Sequence, residues 1–105
     1  MNKPKEILEL EKIYSLQLHQ LPPGEDLELI EFKNHYEIDE ENNVIGLNLS
    51  ENKILDIKGL ESLTYLSRLI LYGNEISEIK GLDKAYQLSY LDISRNKILE
   101  IKKPQ

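Results

Sequence analysis

The sequence predicts an α/β solenoid: a short right-handed coil with a parallel sheet on its concave side, closed at its start by a helix plus a β-hairpin cap. Three observations predict it. Residues 44 to 105 repeat with a period of 22. Within each unit, a short apolar-polar alternation is followed by a return too brief and too broken by glycine for a long helix. Residues 1 to 43 do not repeat, but they open on an amphipathic stretch suited to covering the first coil.

The elements follow in chain order. "PKEILELEKIYSLQL" is a helix candidate, with Pro4 early in the first turn, acids at Glu6 and Glu9, and Ile7, Leu10, Ile13 and Tyr14 on one stripe. Ser15 marks its expected end. "QLPPGED" breaks the chain through Pro-Pro-Gly. "NHYEIDEENNVIGLNL" reads as two strands about a polar turn, with Asn42 or Asn43 able to take the left-handed conformation. That hairpin is expected to add an antiparallel edge to a parallel sheet. Residues 1–43 are thus the expected N-terminal cap, and 44–65, 66–87 and 88–105 the three repeats.

Apolar residues recur at Val44, Leu66 and Leu88; at Leu47, Leu69 and Leu91; at Leu49, Leu71 and Ile93; at Ile54, Ile76 and Ile98; and at Ile57, Ile79 and Ile101. The alternation Leu47, Asn48, Leu49 buries one face of a strand. About 18 residues then lead to the next strand, more than a parallel crossover requires. A coil alone has an apolar side with nothing against it, so the units must stack. Asn52, Asn74 and Asn96 recur where the chain leaves each strand. Backbone groups turned inward there lack sheet partners, each costing about 1–3 kcal/mol if unmet. An amide side chain donates and accepts at once, so a ladder of asparagines serves the turns.

The pattern L-x-x-L-x-L-x-x-N-x-I-x-x-I-x-G-L over residues 44 to 105 resembles the 22-residue class of leucine-rich repeats, as in the nuclear regulator of type-1 protein phosphatase and in internalins. The acidic helix and "YEIDEENNVIGLNLS" look similar to the start of bacterial Roco-like leucine-rich-repeat proteins, in which repeats precede a GTPase module. No G-x-x-x-x-G-K-[ST] is present, so nucleotide binding does not carry over. The resemblance implies either a protein-interaction module or a structural N-terminal piece of a larger signalling protein.

Charge narrows the partners. The net charge of -6 argues against nucleic acid and anionic membrane surfaces, which require clustered Lys and Arg. It is uneven: residues 1–43 carry 4 Lys against 11 acids, while 44–105 carry 9 basic and 8 acidic residues. No stretch approaches the ~20 apolar residues of a membrane span. The absence of cysteine and of an apolar leader reads as cytoplasmic.

No enzyme, cofactor or metal is expected. His19 and His35 fall in no ligand or catalytic spacing, and Asp39, Glu40 and Glu41 lack the glycine and distal Glu of a calcium loop. Asn48-Leu49-Ser50 matches a glycosylation acceptor by accident. Binding is the better expectation. Residues between the leucines face the concave side: Gly46, Asn48 and Ser50; Arg68, Ile70 and Tyr72; Tyr90, Asp92 and Ser94, with Arg95 at the margin. Arg68, Ile70, Tyr72, Tyr90, Asp92 and Arg95 form the expected contact patch for a protein or peptide. Three strands spaced about 4.8 Å apart offer on the order of 200–300 Å², against the roughly 800 Å² that a standard partner buries on each side. Self-association through Leu91, Ile93, Ile98 and Ile101 is the further expectation, because burying such side chains is worth about 1.5–3 kcal/mol each.

Overall fold

Helix α1, Lys5–Tyr14, begins with Pro4 at its N-cap and ends with Ser15 in the left-handed conformation, where the Ser15 N–H bonds back to the Glu11 carbonyl. The computed structural model describes residues 2–98. Pro4 has no N–H to donate and its carbonyl accepts from Ile7 and Leu8, so the first turn starts without an orphan donor there. Ile7 and Leu10 are fully buried, while Ile13, on the expected stripe, is 45% exposed. Glu11 ties the helix to the returning chain: one carboxylate oxygen accepts from the Leu18 N–H at 2.7 Å and from Lys3 Nζ at 2.8 Å. The bond from the Leu18 amide, then Lys3, holds its pKa below the usual value.

Five strands follow: β1 His19–Gln20, β2 His35–Ile38, β3 Val44–Asn48, β4 Arg68–Ile70 and β5 Tyr90–Asp92. They form one sheet in sequence order. β2 and β3 pair antiparallel and every other neighbouring pair is parallel. In the hairpin turn Asn42 takes φ 66°. Asp39 Oδ1 accepts the Glu41 and Asn43 amides, which accounts for an acid at that point of the turn. The antiparallel hairpin strand was expected to be the sheet edge; instead β1 lies outside it. Two exposed residues show no alternation, so β1 leaves no pattern to read.

From β3 onward the register advances by one period: Gly46 pairs with Arg68 and Arg68 with Tyr90. The bonding continues past the strands, as Glu51 N–H donates to Tyr72 O at 2.8 Å and Gly73 N–H to Ser94 O at 3.0 Å. Each strand is left through a residue with positive φ at the same position: Glu51, Gly73 and Arg95. Arg95 thus serves the turn geometry at a position that favours glycine.

Asn74 then bridges two units. Its Oδ1 accepts from Asn52 N–H and Ile54 N–H, and its Nδ2 donates to Leu49 O and Leu71 O. Asn96 does likewise, accepting from Ile76 N–H and donating to Leu71 O and Ile93 O. Asn52 reaches back in the same direction, from Nδ2 to Asn34 Oδ1 at 2.8 Å, and so ties the repeats to the turn before β2. The connections from β3 to β4 and from β4 to β5 contain turns and bends but no helix. Among the described residues the one 3₁₀ turn, Ile30–Phe32, lies elsewhere.

The main core lies between α1, one face of the sheet and these returns, with Leu47, Leu49, Leu66, Leu69 and Leu71 at its centre. Leu91 and Ile93 are half-buried against it; Ile98 is half-buried, and Ile101 lies outside the described residues. The result is a compact α/β domain with a five-stranded, mostly parallel sheet and one α-helix; among the described residues no helix is long and apolar enough to cross a membrane.

Candidate functional site

The face of the sheet away from the core is a grid of rows set by the register. One row reads Glu37, Gly46, Arg68 and Tyr90; the next reads His35, Asn48, Ile70 and Asp92. Beyond the strand ends stand Ser50, Tyr72 and Ser94. Sequence reasoning expects this face to be open. Over its first half it is not.

The connection from β1 to β2, residues 21–34, crosses the face as a strap. Leu27 is fully buried and forms a second, smaller core with Leu21 and Ile70, flanked by Phe32 and Tyr72. Asn48 Nδ2 donates to Leu27 O at 2.8 Å, anchoring the strap backbone. Gly46 makes room for it: a Cβ there would lie 2.5 Å from Leu27 Cδ2 and 3.2 Å from Glu37 Cβ. The missing side chain also lets Arg68 reach across the row. Its guanidinium donates to Glu37, on the far side of Gly46, and to Glu28 of the strap at 3.1 Å. Burial alone would lower the pKa of Arg68, but the paired carboxylates outweigh it and raise it.

The expected patch therefore divides. Ile70 is 2% exposed, so it is a floor and not a contact residue; the strap's leucines supply the apolar cover it requires. Asn48 and Ser50, also expected on the open face, are 0% and 1% exposed. Arg68 is half-buried and engaged by the chain's own carboxylates. Tyr90 is 38% exposed; its pKa is raised by desolvation and by the neighbouring Glu28 and Asp92 carboxylates. Tyr72 and Asp92 are half-buried, and Arg95 is exposed at the turn.

Between the strap and the open half of the face runs a groove of about 370 Å³, lined by Glu28, Ile30, Ser50, Glu51, Ile70, Tyr72 and Asp92. Four of these were not in the expected patch. Glu28 and Ile30 come from a segment whose sequence has no period to place it, and Ser50 and Glu51 from the turn after β3. A second crevice, about 270 Å³, lies where α1 meets the turn at 52–58. Tyr14, on its wall, already donates to Lys58 O and accepts from Lys58 N–H, both at 2.7 Å, which satisfies its polar group internally.

His19 and His35 stand side by side on β1 and β2 with ring centroids 5.5 Å apart, and Phe32 meets the His35 ring edge-on. Among the described residues no three His, Asp or Glu side chains converge on one point. No protein-family model matches the chain, and no curated protein matches it significantly.

Proposed function

We propose that the chain is a short leucine-rich-repeat coil, with α1 and the hairpin as its N-terminal cap, and that it acts as a protein-interaction module without catalytic activity. It takes a peptide on the part of its concave face that the strap leaves open. The period of 22 in the parallel register and the asparagine bonds between successive units support the repeat reading. The observation that carries the binding reading is the groove beside Tyr72, which has an apolar floor, an aromatic wall and a polar rim. Such concave sites, mostly apolar with a few fixed polar groups, are where small ligands and side chains bind.

The strap sharpens the size argument. It covers half of a face that amounted to only a few hundred Å², so an extended peptide fits and a globular partner of standard interface size does not. The test is selection of a displayed random-peptide library on the whole chain, followed by titration of the selected peptides. Tyr72→Ala and Tyr90→Ala should each weaken binding about tenfold, as aromatic anchors do, with the circular dichroism spectrum unchanged. Failure to enrich any peptide, or equal binding by folded variants, would overturn the reading.

The half-burial of Leu88, Leu91 and Ile93 beside β5 favours a second reading, in which this apolar side packs on another protein surface or another copy. Sedimentation separates the two. A concentration-dependent dimer lost in Leu91→Lys supports packing there, and a monomer at every concentration removes self-association.

A further inference from the structure

The groove beside Tyr72 has a chemistry of its own. Its floor is Ile70 and one wall is Ile30, both apolar, and Tyr72 offers an aromatic ring. Three carboxylates, Glu28, Glu51 and Asp92, stand around it, and among the described residues no Lys or Arg lines it. We propose that this groove takes the side chain of a lysine or arginine from an extended peptide; the inference rests on the peptide-binding reading above.

Shape and charge both point to that occupant. A basic side chain has an apolar stem with a charged head. The stem suits Ile30 and Ile70, and the head suits the rim of carboxylates and the face of an aromatic ring. The adjoining position on the same face already holds such a group: the Arg68 guanidinium lies between Glu28 of the strap and Glu37 of β2. Strap and sheet thus recognise a cation within the chain, one row from the groove. Among the described residues, neither Glu51 nor Asp92 enters a salt bridge. Asp92 is oriented in advance, because its Oδ1 accepts from Ser94 N–H at 2.9 Å and from Ser94 Oγ at 2.5 Å. A group held before binding loses little freedom on binding. Lys33 has its Nζ 3.5 Å from the Glu51 carbonyl and Arg68 meets Glu28 at 3.1 Å, but neither is among the lining residues. An acidic peptide would bring like charges to the rim, which disfavours it.

The experiment is a nuclear magnetic resonance titration of the full chain with three blocked tetrapeptides: Leu-Lys-Leu-Lys, Leu-Arg-Leu-Arg and Leu-Gln-Leu-Gln. The two basic peptides should shift the signals of Ser50, Ile70, Tyr72 and Asp92, and the glutamine peptide should not at the same concentration. The combined substitution Glu51→Gln and Asp92→Asn keeps the shapes and removes two charges, so it should weaken binding about tenfold. High salt should weaken the wild type similarly. Should the double variant fail to fold, Asp92→Asn alone and the salt dependence decide. Equal binding of the glutamine peptide at the same residues overturns the cation preference and leaves peptide binding standing. No shift with any peptide overturns both. Shifts confined to the acidic turn at Asp39, Glu40 and Glu41 would show attraction to charge without a site, and overturn the inference.

Discussion

Asn48-Leu49-Ser50 and Asp92-Ile93-Ser94 are the same local structure two periods apart, and they differ in what covers them. In the first, Asn48 Oδ1 accepts from Ser50 N–H at 3.0 Å and Ser50 Oγ at 2.6 Å; in the second, Asp92 Oδ1 accepts from Ser94 N–H and Ser94 Oγ. The strap lies over the first, where Asn48 and Ser50 are buried, while Ser94 is exposed and Asp92 half-buried. Under the strap the second side-chain atom must donate, because it faces the Leu27 carbonyl. Only an amide serves there. In the open position a carboxylate keeps its contact with water, so its charge is tolerable. The turn motif is thus a constant, and the neighbour across the face determines which residue fills it.

Exchanging the two residue types breaks the comparison most strongly at the buried position. Asn48→Asp should destabilise the fold by about 3–5 kcal/mol, since it replaces a donor by a charge against a carbonyl. The introduced carboxyl binds its proton more tightly in the folded state than in the unfolded chain. Stability should therefore rise as pH falls, as the protonated form can donate to Leu27 O. Denaturant unfolding at neutral and acid pH measures both size and sign; equal loss at both would show that charge is not the cause. Leu27→Ala should cost about 3 kcal/mol, the usual result for a fully buried leucine. It should also weaken the protection of the Ile70 and Tyr72 amides from hydrogen exchange. Loss of stability with that protection retained would mean that the strap is not what covers the face.

Legibility in the sequence follows the same division. The parallel strands, Asn74 and Asn96 were readable because the parallel register sets residues 22 apart side by side in one environment, and the environment selects the residue. The end of α1 at Ser15 was readable, and the left-handed turn residue was narrowed to Asn42 or Asn43, because local backbone conformation limits the residue types. The strap was not, since "LPPGEDLELIEF" packs through two leucines without a period. Its traces were departures from the repeat: glycine at 46 where the other units place Arg68 and Tyr90, and Asn48 where the last unit places Asp92. A departure of that kind reports a tertiary contact, and one sequence alone does not say with what. The same blindness hid one wall of the groove, because Glu28 and Ile30 reach it only through the strap.

Asp92→Asn is the smallest change and the sharpest. The Asn48 turn shows that an amide oxygen holds the Ser-type turn as well as a carboxylate does, so stability should change by no more than about 0.5 kcal/mol, within the usual range for a surface position. Among the described residues no salt bridge across the open half of the face uses the charge. If unfolding shows a loss of several kcal/mol, the carboxylate is structural, and the equivalence of the two turns fails. If stability holds while the basic tetrapeptides bind more weakly, the charge at this position belongs to the groove and not to the fold. One substitution then separates what the repeat requires of residue 92 from what the open face adds to it.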